Sequence, residues 1–162
     1  MLKEILSGDT CAKCRMCCIF DRYDIWETPV FDENSRKMVM EYDPEAKFAQ
    51  KGSGFVLNVG EITDGELYKC PALTENGCVL GDNKPFDCRI WPFRVMERDG
   101  KRVIAVSTLC SEVHDRDHEE LKKFLQKGLA AEIFAYAAEN PEAVKPYYDN
   151  YTVIFTEYSH LT

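Results

Sequence analysis

The sequence predicts an α+β protein with a small antiparallel sheet, one long C-terminal helix and cysteine-rich metal-binding loops. Three observations carry this prediction. The turn dipeptide Asp99-Gly100 separates two strand-like runs, apolar residues recur at helical spacing over residues 115–139, and four of the eight cysteines lie between Cys11 and Cys18.

The first half of the chain contains weaker signals. Residues 2–6 predict one helical turn that ends at Ser7-Gly8. Residues 30–41 hold two short apolar runs around a polar stretch, which predicts a β-hairpin. A helical turn is expected near residues 45–49 and a strand at residues 55–59. Further on, Asn76-Gly77 predicts a turn that folds Cys78 back toward Cys70.

The second half is more strongly patterned. Residues 93–97 and 102–108 predict a hairpin around Asp99-Gly100. Asp115 or Asp117 then caps a helix that runs to about residue 139, where Asn140-Pro141 stops it and starts a short second helix. Residues 151–158 alternate as expected for a final strand. The buried stripe of the long helix is predicted to contain Leu121, Phe124, Leu125, Leu129, Ile133 and Tyr136.

Length and composition favour a single domain over residues 1–162. The hydrophobic share of 45% and the charged share of 30% are ordinary for a globular protein, and no apolar run approaches the roughly 20 residues that cross a bilayer. The net charge of −8 argues against a nucleic-acid partner, because phosphate binding needs a basic face. We therefore expect neither a membrane nor a nucleic acid as a partner, and a protein partner stays open.

The eight cysteines are expected to bind metal. Residues 1–9 lack the apolar region of a secretory signal, which places the chain in the cytoplasm, where thiols stay reduced. Two residues separate Cys11 from Cys14 and Cys14 from Cys17, a spacer that lets one loop turn several thiolates toward one centre. Lys13 and Arg15 beside Cys14 are expected to offset the negative charge of those thiolates.

The fourth ligand of this loop is missing locally. Cys17 and Cys18 would point to opposite sides of an extended backbone, so Cys18 is expected to serve a different site. A bacterial ferredoxin loop would next place a cysteine at position 21, where this chain has Asp21. The remaining thiols are Cys70, Cys78, Cys88 and Cys110.

These counts leave several arrangements open. The eight cysteines can form two four-thiolate sites, in which Cys18 joins three distal thiols, or a single cluster with four spare thiols. Some distal cysteines can also be small buried hydrophobic residues. Thiolate ligands select iron–sulfur clusters and zinc over hard cations, so the expected cofactor is a [4Fe-4S] cluster with zinc as the alternative. His114 and His118, four residues apart, are a weaker zinc-binding pair.

The order of several motifs resembles the CxxCxxCC family of zinc- or iron-chelating proteins, also described as iron–sulfur-cluster-containing proteins. The motifs are the four clustered cysteines, Cys70-Pro71, Gly77-Cys78 and residues 84–93, Lys-Pro-Phe-Asp-Cys-Arg-Ile-Trp-Pro-Phe. They span roughly residues 9–112. The family usually has tyrosine and arginine where this chain has Gly81 and Lys84. The resemblance implies metal binding on the cysteines.

Three functions are expected from these observations. The first is an iron–sulfur protein for electron transfer or a redox or structural centre, and the second is a zinc-stapled protein-interaction module. Flagellin lysine methylases carry a similar cysteine cluster within longer chains, so a role in protein methylation with S-adenosylmethionine is a weaker alternative by analogy. Whether the protein is an enzyme is left open, because no catalytic residue can be named.

Overall fold

A computed structural model of the chain describes residues 1–20, 28–58, 63 and 65–157. The fold is α+β, with small antiparallel sheets and a long C-terminal helical segment, as predicted. The chain divides into two compact units, an N-terminal unit of residues 2–89 and a C-terminal unit of residues 90–162 with Met1. The single-domain assignment stays a prediction. Across the described residues, no helix has the length and apolar character to span a bilayer.

The regular elements of the described residues are as follows. In the first part of the chain they are α1 (Gly8–Cys14), β1 (Ile19–Phe20), α2 (Glu33–Tyr42), β2 (Phe48–Lys51), β3 (Gly54–Leu57), β4 (Tyr68–Lys69), β5 (Leu73–Thr74), β6 (Gly77–Cys78) and α3 (Phe86–Ile90). They continue with β7 (Phe93–Arg98), β8 (Lys101–Ser107), α4 (Ser111–His114), α5 (His118–Phe124), α6 (Ala130–Glu139), β9 (Lys145–Pro146) and β10 (Tyr151–Thr156).

The hairpin predicted over residues 30–41 is wrong, because this segment holds helix α2. The Asp32 side chain accepts a hydrogen bond from the Ser35 backbone N–H at 2.8 Å and so caps the helix. Glu33 then pairs with Arg36 at 2.9 Å and with Lys37 at 3.4 Å along one helix face. A local cap and two local ion pairs favour the helix over strand pairing.

Strands β2 and β3 form an antiparallel hairpin after α2. Phe48 lies opposite Leu57, and Lys51 lies opposite Gly54. The helical turn expected near residues 45–49 is therefore wrong, because a strand begins at Phe48. The predicted strand at residues 55–59 is confirmed as far as Leu57, and Val59 lies outside the described residues. Phe31 adds a bridge to Phe55, with N···O distances of 2.7 and 2.9 Å.

The core of the N-terminal unit collects apolar residues from several short elements. Such elements are individually marginal, and burial of their side chains is what holds them together. The buried residues are Phe20, Phe31, Val39, Leu57, Cys70, Ala72, Leu73 and Leu80. One of the eight cysteines is therefore a core residue in its own right.

The C-terminal unit contains a four-stranded sheet with the order β10-β8-β7-β9. The predicted hairpin is confirmed: β7 and β8 pair antiparallel from Phe93 opposite Val106 to Arg98 opposite Lys101. Strand β10 pairs with β8 and confirms the predicted final strand up to Thr156, and Tyr158 lies outside the described residues. Strand β9 joins the other edge in parallel.

The predicted long helix runs from His118 to Glu139. Asp117 caps it, since its side chain accepts a hydrogen bond from the Glu120 N–H at 3.0 Å. A π turn at Leu125–Leu129 interrupts the α-helical pattern, and Gly128 there adopts a positive φ of 134°. The predicted stripe is buried at Leu121, Phe124, Leu125, Leu129 and Ile133, whereas Tyr136 is half-buried.

Gly54 provides a test of packing in the N-terminal unit. A Cβ atom at this position would lie 2.5 Å from Cγ1 of Val30 and 3.0 Å from the carbonyl oxygen of Phe31. Both neighbours are buried, so Gly54→Ala should lower the free energy of unfolding by about 1–3 kcal/mol. Urea unfolding monitored by circular dichroism measures this change.

The matched control for this variant is Gly8→Ala, where no atom lies within 4 Å of the added Cβ. Gly8 is the first residue of α1, and a helical position without crowding tolerates alanine. Its free energy of unfolding should stay the same or rise by up to about 1 kcal/mol. Equal destabilisation by the two variants would contradict the packing argument.

Candidate metal centre

The clustered cysteines lie on two short helical turns joined at Arg15. Ser7 caps α1 by accepting a hydrogen bond from the Thr10 N–H at 3.1 Å, and α1 carries Cys11 and Cys14. A spacing of three residues puts these two side chains on one helix face. Arg15 then takes the left-handed conformation, with φ 57°. The segment that was expected to be a loop is therefore helical on both sides of Arg15.

Cys17 and Cys18 lie in a 3₁₀ turn at Met16–Cys18. Their Sγ atoms are 3.9 Å apart, and both side chains are half-buried. The expectation that they point to opposite sides assumed an extended backbone and is wrong for this geometry. Two thiolates on one tetrahedral zinc ion, with Zn–S bonds of about 2.3 Å, lie about 3.8 Å apart. The distance between the Sγ atoms of Cys17 and Cys18 is close to this value.

A short strand pairing joins this turn to the distal cysteines. Directly after Cys18, β1 pairs antiparallel with β4, with Ile19 opposite Lys69 and Phe20 opposite Tyr68. The Cys70 N–H continues the ladder by donating to the Cys18 carbonyl at 2.8 Å. This pairing brings the backbone of Cys70 to the end of the clustered motif.

Strands β5 and β6 place Cys78 beside Cys70. Leu73 lies opposite Cys78, and the Val79 N–H donates to the Ala72 carbonyl at 2.9 Å. The turn between the strands has Gly77 at φ 106°, a conformation that suits glycine. The predicted turn at Asn76-Gly77 is confirmed.

Arg15 links the two cysteine-bearing segments through hydrogen bonds that the sequence did not indicate. Its Nε donates to the Ala12 carbonyl at 2.9 Å, and its guanidinium also donates to the carbonyl of Glu75 in the β5–β6 turn. Both hydrogen bonds end on backbone oxygens, so Arg15 constrains geometry as well as supplying charge. Arg15 therefore holds the end of α1 against the hairpin that carries Cys78.

Burial and neighbouring thiols raise the pKa values of two of the cysteines. Burial raises the pKa of Cys11, with further increases from Cys17 and Cys14 and an opposing effect from Lys84. Burial raises the pKa of Cys70 from its ordinary value of 9.0 to about 11, opposed by the Ala72 N–H and increased further by Cys78 and Cys17. Cys17 contributes to the raised pKa of half-buried Cys11 and of buried Cys70, so its thiol is close enough to affect both a clustered and a distal cysteine.

The other candidate residues are placed as follows. Cys88 lies on α3, where its N–H donates to the Pro85 carbonyl at 3.0 Å. Cys110 directly precedes α4 in the C-terminal unit. His114 contacts Asp115 at 3.0 Å through Nδ1 and Thr152 at 3.3 Å through Nε2, and its ring centroid is 6.1 Å from that of His118.

The donor chemistry fits a soft metal, because all eight cysteines are free thiols within the described residues. As they stand, no three or more His, Cys, Asp or Glu side chains in that part of the chain form a group that could hold a metal ion. A metal or cluster would therefore have to draw thiols together from the positions described above. The 3₁₀ turn and the short strands are the elements that would adjust.

Comparisons with known proteins give no match. No family model matches the chain, and neither the curated proteins nor the solved structures contain a significant match. The resemblance to the CxxCxxCC family therefore rests on the quoted motifs.

Cys70 makes the metal-free protein less stable at high pH. With a pKa of about 11 in the folded chain and an ordinary value of 9.0, the folded state keeps a proton that the unfolded state releases. The stability that the protonated Cys70 thiol contributes is fully present below pH 9. It is lost as the pH rises to 11, so that the free energy of unfolding falls by about 3 kcal/mol in total. Urea unfolding with reductant and chelator measures it.

The control is Cys70→Ala, which removes the titrating thiol and keeps a small buried side chain. The loss attributable to Cys70 is the difference between the pH profiles of the two proteins, because lysines and tyrosines also titrate in this range. Parallel profiles between pH 9 and pH 11 would show that Cys70 does not titrate as described.

Arg15 is expected to stabilise the N-terminal unit through its bonds to carbonyls. Arg15→Gln removes bonds to two backbone oxygens and should lower the free energy of unfolding by about 1–2 kcal/mol. Lys13→Gln removes the same charge from an exposed neighbour and should change it by less than about 0.5 kcal/mol. If both variants lose the same amount, charge rather than bonding geometry explains the effect.

Proposed function

We propose that the N-terminal unit binds a [4Fe-4S] cluster on cysteine thiolates and serves in electron transfer or as a redox or structural centre. The observation that carries the proposal is the position of Cys17, whose thiol contributes to the raised pKa values of Cys11 and Cys70 and whose turn is bonded to the backbone of Cys70 through the Cys18 carbonyl. An iron–sulfur cluster supplies one-electron chemistry and needs several thiolates around one centre. Cys17 is the residue best placed to join the two groups.

The first ligands of the proposed centre are Cys11, Cys14 and Cys17, with Cys70 as the fourth. Cys70 is preferred over the other distal thiols because its backbone is bonded to Cys18 and its thiol interacts with Cys17. Cys78, beside Cys70, and Cys18, beside Cys17, are the next candidates. Of the arrangements that the sequence leaves open, two four-thiolate sites would give Cys18 a separate role, whereas the short Sγ–Sγ distance to Cys17 favours a single centre.

The electrostatics favour a bound cation over free thiolates. Burial and neighbouring thiols raise the pKa values of Cys11 and Cys70, so both hold their protons at neutral pH in the metal-free chain. A metal centre replaces those protons with positive charge and removes the repulsion among the thiolates. Binding should therefore release protons. A reducing compartment such as the cytoplasm would keep the thiols available.

Zinc is the second candidate, and one distance favours it. The Sγ–Sγ separation of Cys17 and Cys18 is within about 0.1 Å of the value for two thiolates on tetrahedral zinc. The strands around the cysteines, β1, β4, β5 and β6, have two residues each. Such short elements are stabilised when a metal crosslinks them, which suits a zinc-stapled module that binds a protein partner.

Anaerobic purification distinguishes the two metals. The iron–sulfur proposal predicts a brown protein with broad visible absorption, and with iron and acid-labile sulfide in equal amounts. A colourless protein with stoichiometric zinc, obtained after expression with iron available, would replace it with the zinc proposal. A protein with neither metal and unchanged stability after reconstitution would overturn both.

Variants test the ligand set. Cys17→Ser should remove nearly all bound metal, because it breaks the link between the clustered and the distal thiols, and Cys14→Ser should do the same. Cys18→Ser should lower metal content without emptying the site. Met16→Ser is the matched control, since it adds a serine at an exposed position of the same turn and removes no thiol. Equal metal content in the Cys17 and Met16 variants would exclude Cys17 as a ligand.

A further inference from the structure

A pocket on the N-terminal unit lies next to the distal cysteines. It has a volume of about 650 Å³, within the roughly 300–1,000 Å³ typical of small-molecule sites. The end of α2, the β2–β3 hairpin and residues 69–73 line it. Leu57, Leu73 and Cys70 contribute to its lining and are at most 8% exposed, so part of the lining belongs to the apolar core.

The rest of the lining carries charges of both signs. Lys47 and Lys69 contribute two cations, and Asp43 and Glu45 contribute two carboxylates. Asp43 is held by its own turn, because its Oδ1 accepts a hydrogen bond from the Glu45 N–H at 3.1 Å. Tyr42 adds an aromatic side chain that is 56% exposed, which is unusual for a large ring.

Strand pairing fixes the backbone at Lys47 and Lys69. The Lys47 carbonyl accepts from the Asn58 N–H at 2.8 Å, which extends the β2–β3 ladder past Phe48 and Leu57. Lys69 lies in β4, opposite Ile19. At these two positions only the lysine side chains, and not the backbone, must be ordered when a ligand binds, which reduces the entropic cost of binding.

We propose that this pocket binds a small zwitterion of the amino-acid class with an apolar side chain. A ligand with only negative charge would be repelled by the carboxylates of Asp43 and Glu45. A ligand with only positive charge would be repelled by the ammonium groups of Lys47 and Lys69. A ligand that carries a carboxylate and an ammonium group satisfies both pairs. The exposed Tyr42 ring, together with the small exposed parts of Leu57 and Leu73, provides the apolar surface for its side chain.

Three related probes test the charge argument on the full chain. L-Phenylalanine carries both charges, phenylalanine amide lacks the carboxylate, and 3-phenylpropionate lacks the amine. Titration of each into ¹⁵N-labelled protein should shift amide signals of residues 43–47 and 69–73 with L-phenylalanine at millimolar concentration. Each single-charge probe should bind at least about fivefold more weakly.

A lysine variant and a matched control complete the test. Lys47→Gln should weaken binding of L-phenylalanine about fivefold or more, because it removes a charge-assisted hydrogen bond. Lys51→Gln makes the same change in β2 at a residue that does not line the pocket, and it should leave binding unchanged. Equal effects of the two variants, equal binding of the three probes, or no shift with L-phenylalanine would each overturn the proposal.

This proposal does not depend on the metal. The pocket uses lysines, carboxylates and apolar side chains, whereas the metal proposal uses thiolates. Cys17→Ser separates the two, because it should remove metal and still bind L-phenylalanine. Loss of phenylalanine binding in this variant, with the fold retained by circular dichroism, would overturn the independence of the site.

Discussion

The pairing of β1 with β4, together with the bond from the Cys70 N–H to the Cys18 carbonyl, is the constraint on which the N-terminal unit depends. These bonds join segments that are far apart in sequence, so the chain entropy lost on closing the loop must be offset by other contacts. Two-residue strands supply few hydrogen bonds. The offset comes from the core, where Phe20 is 2% exposed and packs in the same cluster as Cys70 and Leu73.

The same constraint bears on two roles of Cys70 that the sequence leaves open, that of a buried hydrophobic residue and that of a proposed metal ligand. As a member of the core cluster, Cys70 behaves as a small buried hydrophobic residue, and burial keeps its thiol protonated. That burial also places it beside Cys78 and within the electrostatic range of Cys17. A buried neutral thiol therefore suits the metal-free protein, and in the proposed centre it would become a ligand only after a metal displaced its proton.

Local signals decided which parts of the fold could be predicted from the sequence. The β7–β8 hairpin and the helix after Asp117 were predictable because a turn dipeptide or a cap agreed with the apolar pattern. Helix α2 was missed because its apolar run, Met38 to Met40, is too short to distinguish a period of 2 from one of 3.6. In the structure only Val39 of the three is fully buried, which fits a helix with one face on the core.

In the candidate site, too, some features follow from a local sequence pattern and others depend on contacts between distant residues. The spacing of the clustered cysteines indicated thiolate chemistry, but the side-chain directions of Cys17 and Cys18 depend on a 3₁₀ turn that spacing does not specify. The bond from Arg15 to the Glu75 carbonyl joins residues distant in sequence, and no local pattern marks it. Residue types were therefore informative about chemistry, whereas the choice of partners required the tertiary structure.

Cys70 also connects the two proposed sites of the N-terminal unit. It lies in the thiol set through Cys17 and Cys78, and it contributes to the lining of the pocket between Lys69 and Pro71. Under the two proposals each site would bind its ligand alone, but a metal that repositioned Cys70 would also reposition part of the pocket lining. Any change in affinity that the metal causes in the pocket must then be matched by an equal change that the pocket ligand causes in metal affinity. The bond between Cys70 and Cys18 is the structural element through which such coupling would act.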